Sequence, residues 1–365
     1  MHVTRWTSAG PRVRDLDPTS EDTDTTTEPP FSAHDPTRMP GAVLALDLGG
    51  TQLRTAVVFG DGQVVARLAS RTPRAAAKTL VAACVDQLRA TLDEAAVNGT
   101  ADGGSVTRPT ALAISAPGPL DPFRGLLIDP PNLDRTLWNY PLAARLGELI
   151  GLPAVMERDT QVAVLAEGDF GAARGLTDYV YLTISTGIGG GVVSGGRLLR
   201  GADGLANELG HMTIDFNGPL CGCGARGHFE ALSSGTGIAR AAREAGLTAA
   251  TGEFGAREVA EAEVAGDASA AQIMDRARSA FAAAAVSIVD LYNPQRIVVG
   301  GGLAIGQGDR LLGPAREAIK SYAFKRQAER VELVPAELGD DVGLVGGLSL
   351  VTLARLGDHV TLQNR

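Results

Sequence analysis

Two glycine-rich stretches of similar sequence, LDLGGTQLRTAVV and TISTGIGGGVVSGG, are the first places where this chain could do chemistry. In each, an apolar strand leads into a Thr/Gly turn, and a second apolar strand follows. Glycines leave backbone N–H groups free to face an anion, and no side chain blocks its approach. The two turns therefore indicate a pair of phosphate cradles, one on each side of a bound phosphate. The alternative is an ordinary hairpin, which also favours glycine.

Asp47 stands near the end of the first of these strands, where it could hold a hydrated Mg²⁺. A third stretch, VVGGGLA, offers a further contact that suits a nucleotide. No GK[ST] follows the first turn, so it is not a Walker loop, and it opens a strand rather than the helix of a Rossmann motif. The candidate phosphate- and ATP-binding residues are Asp47, Gly49, Gly50, Thr51, Thr186, Gly187, Gly301 and Gly302.

A second group of reactive residues lies between residues 208 and 230, in ELGHMTIDFNGPLCGCGARGHFE. Cys221 and Cys223 are separated by one glycine, His211 precedes them and His228 follows them. Two thiolates and two imidazoles suit tetrahedral Zn²⁺, and four protein ligands indicate a structural site. The alternative is a pair of free buried thiols with solvent-exposed histidines. Cys84 lies on the apolar face of a predicted helix and is assigned to the core.

Strands and helices alternate from Gly41 onwards, which predicts an α/β protein with at least two sheets. The predicted strands are AVLALDL, QLRTAVVF, QVVARLAS, TALAIS, PAVMER, YVYLTIS, GGVVSGG and RIVVG. The predicted helices are AAAKTLVAACVDQLRATLDEAA, YPLAARLGELIG, DTQVAVLAEGDFG, a long one from about residue 270 to residue 292, and VGLVGGLSLVTLARLG. Residues 1–40 are rich in Asp, Thr and Pro and are predicted to be disordered.

Composition excludes several classes of function. The chain has 365 residues, 44% of them hydrophobic, which is enough for two domains with cores of their own. Its net charge of −9 argues against a general binder of nucleic acid or of anionic membranes. No apolar stretch is long enough to span a bilayer, and no signal peptide is visible. Three cysteines indicate a reducing, cytoplasmic location.

Seven stretches of the chain, taken in order, resemble the motifs of the ROK family of sugar kinases and sugar-responsive repressors. They are LALDLGGT, ISAPGPLD, PNLDRTLW, ERDTQVAVLAEGDFG, TISTGIGGG, NELGHMTIDFNGPLCGCGARGHFE and VVGGGLA. The resemblance implies an α/β fold of the actin-like, hexokinase type (ribonuclease H-like), with two domains around a cleft. It also implies that the last helix returns to the first domain. The expected boundaries are a small N-terminal domain of residues 41–158 plus about 341–365, and a C-terminal domain of residues 159–340 that carries the zinc loop 208–230.

The resemblance also implies roles for individual residues. Asp159 matches the family's catalytic base, and a carboxylate suits this role because a sugar hydroxyl must lose its proton as the phosphoryl group transfers. Read alone, Asp159 could instead be a helix N-cap. The positions that match sugar contacts are Asn132, Glu208, His211 and Glu230, together with Asp159; His211 would then serve both the sugar and the zinc.

Three residues depart from the family's pattern. Arg158 stands where most kinases of the family have Asn before the base, and Gln161 stands where a second Asn is common. His228 replaces the usual third cysteine, so that the expected zinc site becomes Cys₂His₂. The first departure leaves open which sugar hydroxyls are preferred.

The favoured function is ATP-dependent phosphorylation of a hexose, most simply glucose, with ATP, Mg²⁺ and structural Zn²⁺ as cofactors. The alternatives are a kinase for N-acetylmannosamine or N-acetylglucosamine, a donor other than ATP such as polyphosphate, and a sugar-responsive regulator without kinase activity. The family's repressors carry a winged helix-turn-helix before the Asp-x-Gly-Gly-Thr hairpin, and no such pattern precedes it here. The expected partners are the sugar and ATP, without nucleic acid or membrane, and a second copy in a homodimer.

Overall fold

The computed structural model describes residues 39–101, 108–248 and 254–357, without the side chains of residues 98–101. The predicted disorder of residues 1–40 falls almost entirely on residues 1–38, which lie outside the described residues. Residues 358–365, the end of the predicted N-terminal domain, also lie outside them. No helix among the described residues is both long and apolar enough to cross a membrane.

The first part of the chain forms a five-stranded sheet. Its elements are β1 (Ala42–Leu48), β2 (Gln52–Phe59), β3 (Val64–Arg71), α1 (Ala77–Ala101), β4 (Leu112–Ala116), the short β5 (Leu120–Asp121) and β6 (Leu126–Leu127), α2 (Leu142–Ile150) and β7 (Ala154–Arg158). The strand order is β3-β2-β1-β4-β7, and β5 pairs with β6 separately. Strands β1 to β3 are antiparallel neighbours, whereas β1, β4 and β7 run parallel.

The rest of the chain forms a second five-stranded sheet. It contains α3 (Asp159–Asp169), β8 (Tyr179–Ile184), β9 (Ile188–Ser194), β10 (Arg197–Leu198), α4 (Phe229–Ser233), α5 (Gly235–Glu244), α6 (Ala256–Val264) and α7 (Ala268–Tyr292). These are followed by β11 (Arg296–Gly300), α8 (Gly302–Gln307), α9 (Asp309–Tyr322), α10 (Lys325–Ala328), β12 (Glu332–Pro335) and α11 (Val342–Arg355). The strand order is β10-β9-β8-β11-β12.

The two sheets have the same plan. Each begins with an antiparallel three-stranded meander and continues from the meander's first strand into two further parallel strands. The carboxyl ends of parallel strands lie at one edge of a sheet, where ligands of open α/β sheets bind. Both predicted phosphate turns stand at such an edge, directly after β1 and after β8.

Helices α3 and α11 pack together and contribute to the apolar layers that cover one face of each sheet. Small residues allow this contact. A Cβ on Gly346 would lie 2.5 Å from the carbonyl oxygen of Val162, and a Cβ on Gly347 would lie 2.9 Å from the Cβ of Ala113 on the first sheet. Gly346 and Gly347 therefore allow close packing that a larger residue would prevent.

The predicted strands and helices are all present. Helix α2 ends at Gly151, whose φ of 78° is the left-handed conformation that glycine adopts at helix ends. Helix α7 begins two residues earlier than expected, because the side chain of Asp267 accepts a hydrogen bond from the N–H of Ala270 and caps it. The predicted domain boundary between residues 158 and 159 coincides with the junction of β7 and α3, and the division into domains stays a prediction.

Candidate active site

Asp47 lies between two partners that strand pairing places beside it. It stands opposite Arg54 on β2 and opposite Ser115 on β4. One carboxylate oxygen accepts a hydrogen bond from Ser115 Oγ at 2.9 Å, and the other is paired with the guanidinium of Arg54. Arg54 also donates to the carbonyl oxygen of Asp340 at 2.6 Å. Asp47, which is predicted to hold Mg²⁺, is therefore buried, and the guanidinium cation of Arg54 already lies beside its carboxylate.

The first phosphate turn is closed by a hydrogen bond from the N–H of Gly49 to the carbonyl oxygen of Gln52, at 2.9 Å. Neither Gly49 nor Gly50 has a positive φ. These backbone angles do not require glycine, but a Cβ on Gly49 would lie 3.1 Å from the carbonyl oxygen of Gln52, so the closed hairpin favours glycine at Gly49 and leaves Gly50 unexplained. A Cβ on Gly50 would lie 3.4 Å from the Cβ of Asn132, so the turn also adjoins a predicted sugar contact.

The second and third predicted phosphate-binding stretches come together at the second sheet. The turn after β8 is closed by a hydrogen bond from the N–H of Ser185 to the carbonyl oxygen of Gly187, and it exposes Thr186. Gly301, at the end of β11, has a φ of 93°, and a Cβ there would lie 2.5 Å from the carbonyl oxygen of Ile184. Glycine at this position therefore allows β11 to end directly against the turn.

Asp159 is the first residue of α3 and not its N-cap, which is Arg158. Its carboxylate accepts a hydrogen bond from the N–H of Thr160 at 2.7 Å. Asp159 is solvent-exposed, yet the protein surrounds its carboxylate closely enough that desolvation raises its pKa to about 6. The N–H of Thr160 opposes the shift, the negative charge of Asp47 adds to it, and Arg158 opposes it.

Arg158 reaches across to the predicted sugar contact Glu208. Its guanidinium donates to Glu208 Oε1 and to the carbonyl oxygen of Ala206. Gln161 donates to the same carbonyl oxygen at 3.4 Å. Arg158 and Gln161, two of the three residues that depart from the family pattern, therefore both donate to the segment that leads into Glu208.

The predicted zinc ligands His211, Cys221, Cys223 and His228 come together, with their ligand atoms all within 4.8 Å of one another. The Nδ1 atoms of the two histidines are 3.2 Å apart, Cys223 Sγ is 3.3 Å from His228 Nδ1, and Cys221 Sγ is 3.9 Å from His211 Nδ1. Tetrahedral Zn²⁺ with these ligands requires separations of about 3.3–3.8 Å. The donor set therefore fits zinc, and these three separations lie within about 0.1 Å of the required range, although the widest separation in the cluster, up to 4.8 Å, exceeds it.

Glu230 connects this cluster to the second phosphate turn. Its Oε2 accepts a hydrogen bond from the N–H of Ile188 at 2.9 Å, and its Oε1 lies 4.0 Å from Cys221 Sγ. A Cβ on Gly187 would lie 2.7 Å from Glu230 Oε2. The carboxylate predicted to contact sugar thus also supports the turn predicted to contact phosphate.

Comparison with known proteins adds to this geometry. Residues 43–353 match the ROK family. The chain belongs to the ROK family. It is 33% identical over 320 residues to the glucokinase of Thermotoga maritima, covering 85% of this chain and 96% of that one. It is 37% identical over 315 residues to the N-acetylmannosamine kinase of Escherichia coli O157:H7, covering 84% of this chain and 97% of that protein.

Solved structures of the family share this fold. The ROK hexokinase of Thermus thermophilus superposes with a TM-score of 0.71 and 32% identity, over 87% of this chain and 99% of that one. A ROK glucokinase from Streptomyces griseus, in complex with glucose and AMPPNP, superposes with a TM-score of 0.67 and 29% identity, over 85% of this chain and 99% of that one. A ROK transcriptional regulator superposes with a TM-score of 0.74 and 25% identity, over 87% of this chain and 79% of that one. The predictions of the family and of the two-domain α/β fold are confirmed.

Sequence reasoning missed two residues at this site, Arg54 and Ser115. Both residues stand directly opposite Asp47, so they could have been identified from the register of β1 with β2 and β4. The roles predicted for Asn132, Glu208, Glu230 and the phosphate-binding residues stay predictions, although the structure places Asn132 beside Gly50 and Glu230 beside the second turn.

Proposed function

We propose that this ROK-family sugar kinase transfers the γ-phosphoryl group of ATP to a hydroxyl of a hexose, with glucose as the favoured acceptor. The observation that carries the proposal is the position of Asp159, an accessible carboxylate at the carboxyl end of the first sheet. Its pKa of about 6 keeps it ionised at neutral pH, while the raised value makes it a better proton acceptor than an ordinary aspartate.

In the proposed reaction, Asp159 removes the proton of the attacking hydroxyl as the phosphoryl group transfers in line. The N–H of Thr160 holds Oδ1 and so fixes the direction in which the carboxylate faces. Hydroxyl groups of the sugar pair with polar groups drawn from Asn132, Glu208, His211 and Glu230. A sugar needs several hydrogen-bonding partners, because each of its hydroxyl groups that is buried without one costs about 1–3 kcal/mol.

The phosphates of ATP would lie between the two glycine turns, where backbone N–H groups face them. Asp47 would hold Mg²⁺ through the ion's water shell, since both carboxylate oxygens already have a protein partner. When bound there, Mg²⁺ would neutralise part of the negative charge on the phosphoryl group in transfer. Arg54 supplies a fixed positive charge to the same edge of the sheet.

Zn²⁺ would be held by His211, Cys221, Cys223 and His228 as a structural ion. Because His211 follows Glu208 by three residues and Glu230 follows His228 by two, the ion would fix both predicted sugar contacts. The assignment of the donor as ATP alone, the homodimer and the cytoplasmic location stay predictions.

Two competing proposals each have a specific observation behind them. The N-acetylmannosamine kinase relative favours that sugar as the acceptor. The regulator with a similar fold favours a sugar sensor without kinase activity. A coupled assay of ADP formation, run with ATP against glucose, mannose, N-acetylglucosamine and N-acetylmannosamine, separates them. Glucose-dependent ADP formation supports the proposal, and a different preferred sugar would replace glucose. No turnover with any of the four, despite sugar binding, would favour the regulator.

A further inference from the structure

Arg158 is a buried guanidinium whose two terminal nitrogens hold one short segment of chain. The residue is only 4% exposed, yet it donates to the carboxylate of Glu208 and to the carbonyl oxygen of Ala206. Two parallel donors in a rigid fork fix both the position and the orientation of what they bind. A shorter side chain or a single ammonium group cannot occupy both acceptors in this way.

The segment that Arg158 holds needs such a tether. Asn207, between the two acceptors, has a φ of 69°, which few residues other than glycine adopt. Its side-chain amide donates to the carbonyl oxygen of Leu199 at 2.5 Å. Gly201 and Gly204, just before it, also have positive φ values. Apart from a backbone hydrogen bond from the N–H of Ala206 to the carbonyl oxygen of Arg200, at 2.9 Å, the side chains of Arg158 and Asn207 hold this irregular segment in place.

The segment leads directly into the candidate sugar site. Glu208 stands before the 3-10 helix Leu209–His211, whose last residue is a predicted ligand of both zinc and sugar. Although Arg158 binds Glu208, the side chain of Glu208 stays 54% exposed. Its carboxylate can therefore bind Arg158 and accept hydrogen bonds from a sugar together.

We propose that Arg158 is a positioning residue for sugar recognition, acting through Glu208 and the segment of residues 206–208. This inference rests on the proposed function, because it takes Glu208 as a sugar contact. It assigns to Arg158 a role in the affinity for sugar, separate from proton transfer by Asp159 and from nucleotide binding.

Calorimetry with glucose and N-acetylmannosamine tests this on the full chain, with Arg158→Gln, Arg158→Lys, Glu208→Gln and the double variant Arg158→Gln/Glu208→Gln. We expect Arg158→Gln to weaken sugar binding by about 5- to 150-fold, with the Kd for an ATP analogue unchanged. Arg158→Lys should restore part of the affinity, since an ammonium can pair with Glu208 but cannot also fork to Ala206. The double variant should bind no more weakly than the worse single variant, because the two residues act as one unit.

Arg278→Lys is a matched control. Arg278 also forms a fork, to both carboxylate oxygens of Glu263 at 2.8 and 2.6 Å, but on helices α6 and α7, outside the candidate site. Its replacement should leave sugar affinity unchanged. Zinc content close to wild type checks that each variant is folded, and Glu208→Gln, at an exposed side chain, remains usable if Arg158→Gln does not fold.

Sugar affinity that survives Arg158→Gln, or losses that multiply in the double variant, would overturn the inference. So would a wild-type protein that binds neither sugar. If the wild type binds sugar but transfers no phosphoryl group, the proposed function fails while the affinities still decide the role of Arg158.

Discussion

Replacing Gly50 with alanine tests whether the first turn exists to hold phosphate. The added methyl would meet the Cβ of Asn132 at 3.4 Å and no other atom closer. Gly50 has an ordinary φ, so the substitution should change the free energy of unfolding by no more than about 1 kcal/mol. If the first turn holds phosphate as proposed, the methyl would take up space beside the amides that we expect to face it.

Each charge-assisted hydrogen bond lost there is worth about 1.5–3 kcal/mol, so nucleotide affinity should fall by about 10- to 150-fold for one lost bond. Sugar affinity should fall much less, because Asn132 needs to move by only a few tenths of an ångström. Calorimetry with an ATP analogue and with glucose, in separate titrations, measures both. Gly313→Ala on α9 is the control, since a Cβ there meets nothing within 4 Å. Unchanged nucleotide binding in Gly50→Ala would refute the phosphate-cradle reasoning and leave the turn as an ordinary hairpin.

The remaining predictions concern the base, the metal and Asp47. Because Asp159 must be ionised to accept a proton and its pKa is about 6, kcat/KM should fall about tenfold per pH unit below that value; a profile flat to pH 5 would argue against this assignment. Elemental analysis should find about one Zn²⁺ per chain, lost together with sugar affinity in Cys221→Ser and Cys223→Ser; an active, metal-free wild type would exclude the site. Asp47→Asn should lower turnover more than nucleotide affinity. Single-turnover kinetics and titrations with an ATP analogue measure the two effects, and a larger loss of affinity than of turnover would contradict this prediction.

Much of the fold could be predicted from local sequence pattern. Apolar runs interrupted by glycine located the hairpins after β1 and β8, and the alternation of strands and helices indicated at least two sheets, but not the order of the strands within them. The four predicted zinc ligands also lie within one short stretch, so that their proximity could be predicted from spacing alone. The glycines of α11 were visible in the sequence, but their close contacts with Val162 and Ala113 depend on how two distant elements pack.

The contacts that join distant segments could not be predicted. Arg158 was visible as an unusual residue, but its partner Glu208 stands 50 residues later in an irregular segment whose path no periodicity reveals. Arg54 and Ser115 become neighbours of Asp47 only once the register of β1 with β2 and β4 is fixed. Glu230 supports the second turn through the N–H of Ile188, a contact that depends on tertiary packing.

The measurement that tests the central claim most directly is the turnover of Asp159→Asn with ATP and the preferred sugar. The substitution keeps the shape of the side chain and an oxygen that can accept from the N–H of Thr160, but it removes the proton acceptor. We predict that kcat falls by about 10²- to 10⁴-fold while sugar affinity, measured by calorimetry, changes much less. A variant that keeps turnover near the wild-type value would contradict the account, because Asp159 would then contribute only to the start of α3.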